Sequence, residues 1–261
     1  MGGNRRRRRR RSRSNVWWRQ QYGGMPVWGL GLALVALIAA VAVAVPAALT
    51  PPQRSEAAPR PLPSMFVPEK KPVAAFIGDS YTAGAGSTDG GFVKLVAAEQ
   101  GWLAKNLGRG GTGFITRENL DPELARKGCG KDYCESYVEM IDAAAKLQPA
   151  VVVVSGGRNN AGDDPEALHA TIDSFFAELR AEVPDARIIV TSPLWGSTEP
   201  PAILADMTTW ERDAAASVDA EFLEIGQPLG GRDELLSDDG VHPNDAGHAA
   251  IAEAINSELS Q

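Results

Sequence analysis

Val73-Ala74-Ala75-Phe76-Ile77-Gly78-Asp79-Ser80 is the stretch whose reading decides the fold. Five apolar residues, Val73 to Ile77, make a short strand of the kind buried on both faces of a parallel sheet. Gly78 ends it. Asp79 and Ser80 then stand at the strand's carboxyl end, the edge at which open α/β sheets bind ligands. A serine there can present its hydroxyl to a cleft. Gly, Asp and Ser are also ordinary turn formers, so this stretch alone reads equally well as a plain strand-ending turn.

Outward from it, short apolar runs alternate with helical patterns, which predicts a mostly parallel sheet covered by helices. Strands are expected at Val73–Ile77, Trp102–Asn106, Ala150–Val154, Arg187–Thr191 and Glu221–Ile225. Helices are expected at Phe92–Gln100, Tyr137–Leu147, Pro165–Glu182, Ile203–Val218 and Asp245–Leu259. Val151 to Val154, four β-branched residues bounded by Pro149 and Gly156, make the clearest central strand.

Near the C-terminus, Ser237-Asp238-Asp239-Gly240-Val241-His242-Pro243-Asn244 places an acid three residues before a histidine. Serine is a poor nucleophile until a base takes its proton, and an imidazole is the usual base. The imidazole needs an acceptor that fixes its tautomer and stabilises its charged form. One short loop can supply both. Pro243 restricts His242, and Asn244 can cap the helix that follows.

With these motifs the chain resembles the GDSL-type esterases, also called SGNH hydrolases, over about residues 72–258. Four blocks carry the resemblance: Gly78-Asp79-Ser80-Tyr81; Asn106-Leu107-Gly108-Arg109-Gly110-Gly111-Thr112; Gly157-Arg158-Asn159-Asn160; and Asp239-Gly240-Val241-His242. Each is common alone; all four in this order are specific. The resemblance implies a three-layer α/β/α sandwich on a mostly parallel, five-stranded, flavodoxin-like sheet. It implies Ser80 as nucleophile, His242 as base and Asp239 as the acid, with Asp238 the rival for that last role. The oxyanion donors it implies are the N–H groups of Ser80 and Gly111 and the Asn159 side chain, with Gly108 the rival glycine. The family often has Asp where this chain has Asn160, which bears on loop support more than on chemistry.

Several residues keep two readings. Arg158 either faces the cleft and binds an anionic group of the substrate or forms a salt bridge with one of the many acids. Trp195, Trp210 and Phe114 either line a pocket or pack in the core. His169 and His248 read as helix residues, the latter packed. A Gly-rich loop at 108–113 could cradle phosphate, but the Lys-Ser/Thr pair that would open a helix is absent.

Charge is divided unevenly. The chain has 261 residues and a formal net charge of −7, yet residues 1–19 hold nine Arg and no acid. The remainder carries 17 basic against 33 acidic residues, a formal −16, which argues against a nucleic-acid partner for the body. Residues 1–26 read as an Arg-rich cytoplasmic tail that obeys the positive-inside rule, with nucleic-acid binding by the arginine run the competing reading. Residues 27–49 contain no charge over 23 positions, enough to span a bilayer as a signal anchor, with a cleaved signal peptide the competing reading. Residues 50–71 are a Pro-rich linker, and 72–261 form the hydrolase domain.

Cys129 and Cys134 lack the further Cys or His partners of a zinc site. They read either as thiols or, outside the cytoplasm, as a disulfide. No metal or organic cofactor is implied. The expected substrate is a small-molecule, lipid or glycan ester, met outside the cytoplasm by a protein held to the membrane through residues 27–49. Acyl transfer to a sugar hydroxyl, or envelope binding without catalysis, are the alternatives this fold would also serve.

Overall fold

The computed structural model describes residues 70–115 and 121–261 continuously, and before them residues 21–22, 24–26, 32 and 34–40. The chain divides into two compact units, Met1–Val67 and Pro68–Gln261.

The second unit is built on five parallel strands: β1 (Val73–Gly78), β2 (Leu103–Asn106), β3 (Val151–Ser155), β4 (Arg187–Thr191) and β5 (Glu221–Leu223). Their spatial order is β2-β1-β3-β4-β5. Ala74 pairs with Val151 and Ala104, and Val152 pairs with Ile188. The order reverses between β1 and β3, which makes the carboxyl ends of those two strands the topological switch point.

Strand periodicity sorts the core onto two faces. Ala75, Ile77, Val152, Val154, Ile188 and Val190 face one way, against α4 (Tyr137–Lys146), α5 (Pro165–Glu182) and α6 (Ile203–Ser217). Ala74, Phe76, Val151, Val153, Ile189 and Leu223 face the other way. There they meet α1 (Ser80–Ala83), α2 (Gly91–Glu99) and α7 (Asp245–Leu259). Strands β1 to β5 therefore form the helix-covered parallel sheet that the pattern predicts, in the three-layer α/β/α sandwich that the resemblance implies. Residue alternation, with period two, assigns each side chain to its layer.

Helix starts follow local chemistry. Asp164 caps α5 through the Ala167 N–H with Pro165 in the first turn, and Asn244 caps α7 through the Gly247 N–H. Ser136 and Glu139 form a capping box on α4.

Element ends shift by one or two residues from expectation, and a helix appears that was not expected. The last strand stops at Leu223 and not at Ile225, because the Ile225 N–H turns to Ser192 Oγ at 3.1 Å. Trp102 lies outside β2, its N–H closing the end of α2 on Ala97 O. A helix absent from the periodicity reading, α3 (Pro122–Cys129), buries only Ala125. Its signals are nonetheless in the sequence: Asp121 caps it, Pro122 starts it and Gly130, at φ +75°, ends it.

In the first unit, Gln21–Tyr22 pairs antiparallel with Met25–Pro26. Most of residues 27–49 lie outside the described residues. Leu34, Val35, Leu37 and Ile38 are helical and exposed. Among the described residues no helix is long and apolar enough to cross a membrane. The Pro-rich linker at 50–71 is likewise outside the description except for its last two residues.

Candidate active site

Ser80 opens α1 directly after β1. Its turn is fixed by Asp79, whose Oδ1 accepts the Tyr81 N–H at 2.9 Å. Gly78 is obligatory at this corner, since a Cβ there would lie 2.0 Å from Ser155 O and 2.2 Å from Thr82 Oγ1. Thr82 Oγ1 in turn donates to Ser155 O at 2.7 Å, so the ends of β1 and β3 are laced together at the switch point. Ser80 retains 8% of its exposure, enough for a hydroxyl at a cleft wall.

Asp239 and His242 are presented by a tight loop. The Ser237 N–H bonds His242 O, the Asn244 N–H bonds Leu235 O, and the Gly240 N–H bonds Ser237 O, all within 2.9 Å. Asp239 Oδ1 accepts the N–H groups of Val241 and His242 and the Ser237 hydroxyl, each at 2.9 Å. Its Oδ2 meets His242 Nδ1 at 2.6 Å. Hydrogen bonding to His242, by ring and by backbone, holds the Asp239 carboxyl well below the usual carboxylate range. An ionised acceptor requires the proton on Nδ1, which leaves Nε2 with a lone pair. Asp238 takes no part in this pair.

Tyr81 joins the two halves. Its side chain is buried, its hydroxyl donates to Val241 O at 2.6 Å, and its ring meets that of His242 edge-on at 6.1 Å. The nucleophile turn and the histidine loop, 160 residues apart in sequence, are thereby held to one another.

A cleft of about 550 Å³ is lined by Ser80, Gly111, Asn159, Arg158 and His242. Ser80 and His242 both line this cleft, with no hydrogen bond between their side chains among the described residues. Bonds of this kind tighten when substrate arrives. Gly111, at φ +72°, sits where a left-handed backbone is needed. The Gly108 N–H is occupied by Asn106 Oδ1 at 2.9 Å, and a Cβ on Gly108 would strike Ala83 N at 2.6 Å. Of the two rival glycines, Gly111 is the one whose N–H is uncommitted among the described residues. Asn159 donates one Nδ2 hydrogen to Thr112 O at 2.9 Å, which orients the amide beside Gly111 and leaves its second hydrogen available. Asn160 is fully buried; its Oδ1 accepts the Phe114 N–H at 3.0 Å and its Nδ2 donates to Asp163. The Asn at this position therefore does support the loop.

Behind the loop, Asp79 of the first motif meets two groups that no sequence motif marked, Tyr137 and Glu211. Burial pushes the Asp79 carboxyl up to about 6, against the pull of the Tyr81 N–H, Arg158, Tyr137 and His242. Glu211, on α6, is buried with Oε1 unpartnered, and burial together with Asp79 raises it well above its ordinary value. The Tyr137 hydroxyl accepts the Gly157 N–H at 3.1 Å. These residues come from distant positions and share no local pattern.

The remaining candidates sort themselves. Cys129 and Cys134 form a disulfide with Cα atoms 6.0 Å apart, and Cys129 lies on the cleft wall. Phe114 packs in the core against Tyr137 and Phe175. Trp210 stacks on His169 at 4.8 Å, away from the cleft. His248 is buried, accepting the Phe92 N–H at Nδ1 and bonding Ala85 O through Nε2.

A flavodoxin-like sheet with a serine and an imidazole–carboxylate pair at its switch point defines a hydrolase class. The GDSL-like lipase/acylhydrolase family profile matches residues 76–250. The GDSL lipase Rv0518 of Mycobacterium tuberculosis is 30% identical over 192 residues, covering 69% of this chain and 78% of its own. Among solved structures, a protein from Lactobacillus plantarum superposes with a TM-score of 0.55 at 19% identity, covering 73% of this chain and 97% of that one. The psychrotrophic esterase EstA from Pseudoalteromonas sp. gives 0.53 at 16% identity, with 73% and 97% coverage. The chain belongs to the GDSL-like lipase/acylhydrolase family and is a carboxylic ester hydrolase.

Proposed function

We propose that the protein is an extracytoplasmic serine esterase in which Ser80, His242 and Asp239 act as nucleophile, base and acid. The observation that carries this reading is the 2.6 Å contact of His242 Nδ1 with Asp239 Oδ2 in a loop bordering the cleft of Ser80. His242 Nε2 takes the Ser80 proton as Oγ attacks the ester carbonyl carbon. The tetrahedral oxyanion is met by the N–H groups of Ser80 and Gly111 and by the Asn159 amide. The C–O bond to the alcohol breaks as Nε2 returns the proton to the leaving oxygen. Water, deprotonated at Nε2, then attacks the acyl-enzyme and releases the acid with Ser80 restored.

The location rests on the sequence: nine Arg ahead of an uncharged 23-residue apolar stretch, then a proline-rich linker. An O-acylated envelope glycan or a lipid ester fits that location as substrate. The test is turnover of a 4-nitrophenyl ester series from acetyl to dodecanoyl by the full chain and by Ser80→Ala. Turnover abolished by the substitution is expected; turnover equal in both proteins would sink the assignment. Adding a sugar acceptor separates hydrolysis, which yields free acid, from transfer, which yields the acylated sugar.

A further inference from the structure

Arg158 differs from every other described arginine of the second unit. Arg109, Arg126, Arg187, Arg212 and Arg232 each pair with a carboxylate, and Arg180 bonds backbone carbonyls of Val218, Ala186 and Asp219. The Arg158 guanidinium has no carboxylate within ion-pair distance; it lies beside the Tyr81 hydroxyl and within the field of the buried Asp79, and its Nη1 is buried without a hydrogen-bond partner. In a body of formal charge −16, an arginine with no acid in direct contact is the exception.

Its face is used; Nη1, on its edge, is not. Cζ stands 4.2 Å from the centre of the Trp195 ring and 5.8 Å from that of Tyr81, a stack that fixes the guanidinium plane. Gly196 adds no side chain beside it; a Cβ there would come within 3.4 Å of Nη1. The in-plane N–H groups that remain match the two oxygens of a carboxylate or phosphate. The cleft they share with Ser80 and Asn159 is lined by two cations, Arg158 and Lys127, and by no carboxylate.

Resting on the serine-esterase reading, we propose that Arg158 is a specificity residue and that the cleft takes esters bearing an anionic oxygen group, carboxylate or phosphate, close to the scissile bond. Asn159, the adjacent residue, carries the amide assigned to the oxyanion, so an anion on Arg158 registers the carbonyl over Ser80.

The test compares kcat/KM of the full chain for matched pairs: 4-nitrophenyl hydrogen glutarate against 4-nitrophenyl pentanoate, 4-acetoxybenzoate against its methyl ester, and 4-acetoxyphenyl phosphate against phenyl acetate. The pairs separate an anion on the acyl side from one on the alcohol side, and carboxylate from phosphate. In at least one pair the anionic-to-neutral ratio should fall about 10–100-fold in Arg158→Gln and recover in part in Arg158→Lys. Ratios unchanged by Arg158→Gln overturn the proposal while leaving the esterase reading intact. Failure of the wild type on every ester, with no labelling of Ser80 by a fluorophosphonate, removes the esterase reading and this proposal with it. Should Arg158→Gln not fold, the wild type decides: a preference for an anionic ester that weakens with added salt supports the proposal, and no preference overturns it.

Discussion

Asn159 is positioned by one hydrogen bond and has one left to give. Truncating it to alanine should lower kcat roughly 10²–10³-fold, the range seen when a single oxyanion donor is removed. KM should change little, because the donor aims at charge that develops only in the transition state. A rise in KM with kcat intact would place Asn159 in ground-state binding instead.

Asp79 makes a prediction about stability. Burial pushes its carboxyl up to about 6 in the fold, from an ordinary 3.8. A folded value above the unfolded one means that the contribution is full below about pH 4 and lost as pH rises through about 6. At pH 8 the buried carboxylate therefore costs the fold, on the order of 1–3 kcal/mol. Asp79→Asn keeps an acceptor for the Tyr81 N–H and should melt higher than wild type at pH 8, with the gap closing at pH 4. An equal gap at both pH values would remove the ionisation argument.

Among single residues, legibility followed contiguity. Ser80 with its turn, and Asp239 with His242, sit within a few positions of the groups that position them, so local motifs disclose them. The Tyr81–Val241 bond, the buried Asp79–Tyr137–Glu211 set and the stack of Arg158 on Trp195 join residues far apart in the chain. No periodicity or spacing announces such contacts; only the folded sheet brings them together.

At the scale of elements, α3 and its disulfide form one wall of the cleft, through Lys127, Gly128 and Cys129. The bridge spans a sequence separation of 5, a short loop, for which chain-entropy arguments give about 2 kcal/mol. Replacing Cys129 and Cys134 by serine should lower Tm by roughly 4–8 °C, read by calorimetry, and reduction of the wild type should do the same. An unchanged Tm would show that α3 is held by other contacts. The strands were legible to within one or two residues because short apolar runs mark them, β-branched most clearly in β3 and β4. Two ends shifted where another acceptor captured a backbone N–H: the Ser192 hydroxyl at Ile225 and the Ala97 carbonyl, in the closing turn of α2, at Trp102.

For the whole molecule, the division at Val67–Pro68 predicts that a fragment beginning at Pro68 folds alone and turns over a soluble ester within about twofold of the full chain. Autonomy of this kind is ordinary for a domain of this size. Under the proposed anchoring, the fragment should also partition to the soluble fraction while the full chain sediments with membranes. A fragment that melts without cooperativity would mean that the first unit contributes to the fold.

The most direct test of the central claim is to react the full chain with a fluorophosphonate and map the adduct by peptide mass spectrometry. The account predicts one adduct, on Ser80, formed quickly in the wild type and slowed at least 10³-fold in His242→Ala. An adduct on another serine, or one on Ser80 formed just as fast without His242, would contradict it.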